Sequence, residues 1–307
     1  MDVLSDSLAA MRTGQPRSAR TEARAPWGLR FRAVTGTTFH VVTQGTCWLL
    51  SGRDTAPLAL GPGDVVFLRT GSAHALADHP ATPQVDFVPE RLDPSATIGQ
   101  VRLDGPGAQA VLLCGAYELD RTRAHPLMNE LPEVVHLPAR AGKHTELRNL
   151  VDLLATELDT ERPGSDGIVP ALIDAMLLYI LRAWLDERSA DAATETGWAL
   201  ALRDPAIGRA LQSIHARPAD PWTVQELATH AGLSRSVFAQ RFTDLVGEPP
   251  LTYLGWWRMT TAGRLLRETD APLSAIARRV GYTSEFAFAK AFKREYGTPP
   301  GRFRRPA

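Results

Sequence analysis

The chain has only two cysteines in 307 residues, Cys47 and Cys114. That is too few for a disulfide framework, so a secreted, cross-linked scaffold is excluded and a reducing cytoplasm is expected. No apolar run approaches the roughly 18 residues needed to span a bilayer. The opening MDVLSDSLAAMRTGQPRSAR lacks the basic, apolar, small-residue order of a secretory leader. No membrane partner is expected. Neither sign of charge dominates, with 34 Lys and Arg against 34 Asp and Glu. No Ser-His-Asp set, P-loop or dinucleotide-binding glycine motif stands at usable spacing.

The neutral total hides an asymmetry. From Pro205 onward there are 15 basic and 8 acidic residues, which leaves 19 basic and 26 acidic residues before it. A basic final third attached to an acidic remainder suggests a polyanion-binding module joined to a domain of another kind. The texture of the chain changes in step. FHVVTQGTCWLL, PLALGPGDVVFL and AQAVLLCGAYEL read as short strands separated by turn signals such as SGRD and GPGD, the pattern of a barrel or jelly roll. HTELRNLVDLLATELDTE and IVPALIDAMLLYILRAWLDE have three-and-four apolar spacing and predict a helical hairpin. ERSADAATETG reads as a linker. The expected fold class is therefore multidomain, β followed by all-α. Residues 1–141 form a β-barrel domain, 142–190 the hairpin, 191–204 a linker and 205–307 an all-helical domain.

Within the last segment one pattern occurs twice. GLSRSVFAQRFTDLVGEPP from Gly232 and GYTSEFAFAKAFKREYGTPP from Gly281 both open on Gly, an apolar residue and a hydroxyl, and both close on Gly-x-Pro-Pro. At an offset of 49, Leu227 meets Ile276, Ala228 meets Ala277, and Gly232 meets Gly281. After one inserted residue, Phe238 meets Phe288, Phe242 meets Phe292, and Gly247 meets Gly297. Each copy predicts a short helix ended by a glycine that tolerates the left-handed conformation, and then a second helix pinned by two Phe at i and i+4. Thr223 and Glu226 form a capping box; Ser274 and Thr283 or Ser284 stand where later helices need caps. Two helix-turn-helix units are predicted, joined by a helix at about 251–267.

With WWRM at Trp256–Met259 and the closing TPPGRFR, this third of the chain resembles the DNA-binding domain of AraC-type (AraC/XylS) transcription regulators. The resemblance implies double-stranded DNA as partner, with the connecting helix holding two recognition helices for successive major-groove segments. It places groove contacts at Ser236, Ala239 and Gln240, with Ser284, Glu285 and Lys290 as outward candidates on the second helix. Arg235, Arg258 and Lys293 are candidates for phosphate contacts, which position without reading sequence.

The front region, GTTFHVVTQGTCWLLSG and then GDVVFLRTGSAH, resembles a cupin barrel. Thr38 stands at the first His of that pattern, His40 at the second, and Gln44 replaces the Glu. Gly63, Gly71 and His74 keep the second motif, with Arg69 replacing Pro. The candidate ligand or metal set is therefore His40, Gln44 and His74, supplemented by Cys47 or Cys114, or by His79 or His125. A thiolate in that set would favour zinc. A redox role for the two thiols would require a lowered pKa and access. Cupin-type sensor domains accompany many AraC-type regulators. The resemblance thus implies a non-enzymatic regulator that responds to a small-molecule effector or chemical stress and dimerises through the hairpin. The alternative is a metal-dependent cupin isomerase or dioxygenase with an accessory helical domain.

Overall fold

The computed structural model describes residues 2–14, 17–52, 55–88, 99–119, 125–140, 142–159, 162–190 and 197–304. By its contacts the chain divides into two compact units. One comprises Gly14–Leu119 and Leu131–Trp184; the other comprises Met1–Thr13, Asp120–Glu130 and Leu185–Ala307.

The first unit is built on two sheets. Its strands are β1 (Arg17–Arg24), β2 (Gly28–Phe31), β3 (Thr37–Gln44), β4 (Cys47–Ser51), β5 (Leu58–Leu60), β6 (Val65–Leu68), β7 (His74–Ala77), β8 (Val85–Asp86), β9 (Gly99–Leu103), β10 (Gln109–Tyr117) and β11 (Val134–Leu137). They are ordered β11-β6-β3-β10-β1-β9 in one sheet and β5-β4-β7-β2-β8 in the other. β3 runs mid-sheet, and TTFHVV is buried along its whole length, as expected for a strand covered on both faces. β1 alternates instead, with Ala19, Thr21 and Ala23 inward and charged residues outward. The core between the sheets gathers Trp27, Leu29, Phe31, Val42, Leu49, Leu76, Leu112 and both cysteines.

The predicted hairpin is present as α3 (Thr145–Asp159) and α4 (Ser165–Ala190). Leu147, Leu150, Val151 and Leu154 of α3 are buried, as are Val169, Ile173, Met176, Leu177, Ile180 and Leu181 of α4. The Tyr117 hydroxyl donates to the Ile173 carbonyl and ties α4 to β10. By length and composition α4 can cross a bilayer, with a mean hydropathy of 1.8, although half of it is buried within the structure. Asp174 and Arg182 interrupt its apolar run, and a search for unbroken runs therefore passes over it.

The second unit contains α1 (Val3–Met11), α2 (Pro126–Glu130), α5 (Trp198–Arg203), α6 (Pro205–Ala216), α7 (Val224–Ala231), α8 (Arg235–Val246), α9 (Pro250–Glu268), α10 (Leu273–Arg279), α11 (Glu285–Tyr296) and α12 (Pro300–Phe303). Three features differ from the sequence reading. α1 groups with the helices, packing on α6 and α9, although residues 1–13 were expected in the β domain. The hairpin groups with the sheets up to Trp184. Of the expected linker, residues 191–196 lie outside the described residues, while the rest includes α5, whose Trp198 is fully buried.

Candidate DNA interface and sensor interior

The local chemistry that shapes the first helix-turn-helix unit begins at Thr223. Its hydroxyl accepts from the Glu226 N–H at 3.1 Å, and the Glu226 carboxylate accepts from the Thr223 N–H at 2.8 Å, which closes the capping box. α7 ends at Gly232, in the left-handed region at φ 72°. A side chain there would meet the steric cost that glycine avoids. Ser234 opens α8, where Phe238 and Phe242 are fully buried with ring centroids 5.6 Å apart. Asp204 caps α6 by accepting from the Ala206 and Ile207 N–H groups at 2.9 Å, and it pairs with Arg241 of α8. Burial works against its charge, but the bonds from Ile207, Arg241 and Ala206 outweigh it and hold the carboxyl below its ordinary range.

The second unit repeats the frame with different fittings. α10 has Pro272 as N-cap and no side-chain cap bond, so Ser274 lies inside the helix and is not its cap. Gly281 has φ 81°. Ser284, not Thr283, caps α11, accepting from the Ala287 N–H at 3.3 Å. The inserted residue therefore lengthens this turn by one. Phe288 and Phe292 are fully buried with centroids 5.7 Å apart. α9 joins the units; its 19 residues span about 28 Å, near the roughly 34 Å of one groove turn.

On α8, Arg235, Ser236 and Gln240 are exposed and Ala239 is half-buried. The Gln240 amide donates to Asp244 at 2.8 Å, a bond that must open before the side chain can read adenine. On and before α11, Ser284, Glu285, Lys290 and Lys293 are exposed. Arg258 departs from its expected role. It donates to the carbonyls of Pro218 and Asp220, both at 2.7 Å, and is half-buried. It braces the loop before α7 and is not free to meet phosphate. One residue that the sequence reading passed over stands out. Phe286, in the first turn of α11, is 80 % exposed. The signal was available, because Phe286 lies two residues off the stripe that Phe288 and Phe292 define.

In the sheet unit His40 and His74 meet directly, Nε2 to Nε2 at 2.7 Å, and both are buried. Their tautomers follow from their partners. His74 Nδ1 lies 2.7 Å from the Ser72 carbonyl, which only accepts, so Nδ1 carries the proton and Nε2 is an acceptor. His40 Nε2–H must then donate, which leaves His40 Nδ1 as a buried acceptor with no partner among the described residues. Burial holds both imidazoles below the ordinary histidine range, and therefore neutral. Phe31 packs against both rings with centroids at 4.9 Å.

This arrangement does not fit a metal centre. At 2.7 Å the two Nε2 atoms stand closer together than two nitrogens on one tetrahedral ion, which are about 3.3 Å apart for Zn–N bonds of about 2.0–2.1 Å. Gln44 is exposed at the end of β3, and His79 is exposed with its Nδ1 accepting from the Ala81 N–H. His125 belongs to the helical unit. Cys114 lies beside His40 across the β10–β3 ladder, but burial pushes its thiol up to about 12, and that of Cys47 likewise. With no metal bound, thiols held protonated in this way are poor nucleophiles. Among the described residues no three His, Cys, Asp or Glu side chains converge on a point.

The helical unit has its own buried histidine pair, bridged by a tyrosine. The Leu127 N–H donates to His125 Nδ1 at 3.1 Å, so His125 carries its proton on Nε2 and donates to the Tyr253 hydroxyl at 3.2 Å. Tyr253 then donates to His215 Nε2 at 2.8 Å. His215 Nδ1 lies 3.7 Å from Asp6 of α1, longer than a hydrogen bond. Burial keeps both histidines neutral and the phenol protonated. The chain links α6, α9 and the segment before α2.

Comparison with known proteins finds the same two kinds of domain, with α1 and α2 falling inside the match to the front one. A cupin family model matches residues 2–186, and a helix-turn-helix domain model matches residues 227–306. An AraC-like transcription regulator of Streptomyces lividans, described as putative, is 37 % identical over 309 residues, covering 99 % of this chain and 98 % of that protein. The HTH-type transcriptional regulator MtrA of Neisseria gonorrhoeae is 32 % identical over 267 residues, covering 87 % and 85 %. The crystal structure of the DNA-binding domain of AdpA with a target DNA is 32 % identical. It covers 33 % of this chain and 90 % of its own, with a TM-score of 0.31. A cupin-like front domain, a duplicated helix-turn-helix behind it and full-length relatives named as regulators place this chain in the family of AraC-like transcription regulators.

Proposed function

We propose that the protein acts as a cytoplasmic, homodimeric, non-enzymatic regulator whose α8 and α11 enter successive major-groove segments of one duplex. Base contacts come from Ser236, Ala239, Gln240, Ser284, Glu285 and Lys290, and phosphate contacts from Arg235 and Lys293. The observation that carries this reading is the same in both units. Each recognition helix is anchored by a buried Phe pair while its reading residues, apart from the half-buried Ala239, are exposed. The rival reading, a metal-dependent cupin isomerase or dioxygenase, needs about three protein ligands on the metal, and the His40–His74 pair with its neighbours does not offer them. For the sheet unit we propose a small-molecule effector. His40 Nδ1 and the Thr38 hydroxyl are buried without partners among the described residues, and as residues i+2 and i of β3 they share a face. A ligand donor group would satisfy them. Sensing of chemical stress through Cys47 and Cys114 is disfavoured by their protonated, buried state. Dimerisation is assigned to the hairpin, whose Leu153 and Ile168 are exposed although its main stripes are buried.

The test is a fluorescence-anisotropy titration of the full-length protein against duplex from upstream of its own gene, with scrambled duplex as control. Preference for the former is expected. Four phosphate contacts, Arg235 and Lys293 from each protomer of a dimer, would weaken binding roughly 10²-fold between 50 and 200 mM salt. Equal affinity for both duplexes counts against the reading.

A further inference from the structure

We propose that Phe286 reads thymine, its ring packing on the C5-methyl group of one thymine in the groove segment entered by α11. The inference rests on the DNA-reading role given to α11 above.

Phe286 is 80 % exposed, whereas the other large exposed hydrophobics among the described residues range from 40 % to 56 %. Folding does not call for an aromatic there. Phe288 and Phe292 already fill the core side of α11, and Ser236, fifty residues earlier at the equivalent position of α8, is a small polar residue, also exposed. Its place in the helix matters as much as its exposure. Phe286 is the second residue of α11, and in helix-turn-helix docking the N-terminal residues of the recognition helix reach the base edges. Ala287 beside it is exposed and too small to screen it, while Lys290 stands one turn further along the same helix. The ring is thus the large apolar group on a face it shares with Glu285, the small Ala287 and Lys290.

Base chemistry selects the occupant. In the major groove thymine alone presents a methyl group; the other bases offer donors or acceptors. A phenyl ring pressed on a cytosine amino group or a guanine oxygen would displace water without replacing its hydrogen bond, which penalises those bases. Thymine is the base whose edge gains from contact with an apolar ring.

The experiment selects binding sites for the full-length protein from a randomised duplex library, in parallel with Phe286→Ala. The wild-type protein is then titrated on its selected site with thymine or uracil at each T position. Uracil keeps the pairing and removes only the methyl group. The expected result is one thymine enriched by the wild type and lost from the Phe286→Ala selection. At that position alone, uracil weakens wild-type binding about four-fold, the scale of one buried methylene-sized group, and leaves Phe286→Ala binding unchanged. If wild type enriches a site, yet the variant enriches it with the same thymine or uracil costs nothing anywhere, the Phe286 assignment is overturned while the DNA-binding reading stands. Phe286 then belongs to a contact with another protein. If wild type enriches no sequence, the DNA-binding reading fails and this inference with it.

Discussion

At an offset of fifty residues, Phe238 and Phe242 meet Phe288 and Phe292, and all four are fully buried. At the same offset Arg235 meets Glu285, Ser236 meets Phe286 and Gln240 meets Lys290, and all six are exposed. The two units agree where side chains pack and differ where they face outward. Packing imposes the same demand on each: a glycine at positive φ, a pair of aromatic rings one turn apart and a Pro-Pro start to the next helix. The outer face carries no such demand and is free to read different bases. One protomer is therefore expected to bind an asymmetric site, its two groove segments unlike each other.

The inward agreement predicts the largest effects. Phe242→Ala and Phe292→Ala should each cost about 3–5 kcal/mol in urea denaturation, with closely matched losses. A large disparity would show that one unit can collapse around the gap and the other cannot. The outward difference predicts effects on affinity. Gln240→Ala and Lys290→Ala should each weaken binding to the selected site by about 1–3 kcal/mol, while relaxing base preference at different positions. Unchanged preference in both would remove these two assignments.

Two tyrosines of the helical domain, Tyr253 on α9 and Tyr296 on α11, also differ. Tyr253→Phe leaves the His125 Nε2–H without an acceptor and His215 Nε2 without a donor, for a cost of about 1–3 kcal/mol. Tyr296→Phe loses one long bond to the Met259 carbonyl, at 3.4 Å, and should cost less than about 1 kcal/mol. Paired thermal melts compare the two. Proton uptake sharpens the contrast. His125 and His215 are held below the ordinary value of about 6.5, so the unfolded chain binds protons that the native state does not. Their contribution is fully present above about pH 6.5 and is lost as pH falls below it, by up to about 1.4 kcal/mol per histidine per pH unit. The second helix-turn-helix, α10 and α11, contains no histidine. Between pH 7 and pH 5.5, hydrogen exchange corrected for intrinsic rates should accelerate more in α8 than in α11. The smallest effect is at the caps. Thr223→Ala should lower the melting temperature, for a loss of about 1 kcal/mol, whereas Pro272, which caps α10 without a side-chain bond, offers no counterpart to remove.

Helices α7 to α11 were legible in the sequence because their signals are local. The Thr223–Glu226 pair, the left-handed glycines and the Phe pairs each lie within one or two turns. β1 was not legible. RSARTEAR turns only Ala and Thr inward and shows charges to a hydropathy scan. α1 was missed because nine amphipathic residues do not say which core will take them. Arg258 looked like a phosphate ligand until the loop carbonyls of Pro218 and Asp220 came within its reach, a tertiary event. The His40–His74 spacing was visible, but their mutual hydrogen bond depends on β3 and β7 meeting across the two sheets. Sequence spacing names possible ligands; which lone pairs remain free is decided by packing.

The position of α1 bears on how the chain is made. Val3–Met11 leaves the ribosome roughly 250 residues before α9, the helix it covers; at about 5–20 residues per second the delay is roughly 12–50 s. Through that interval Val3, Leu4, Leu8 and Met11 lack their permanent cover. The nascent chain must keep this apolar helix uncovered until α9 is made, which makes α1 a natural place for a chaperone to hold.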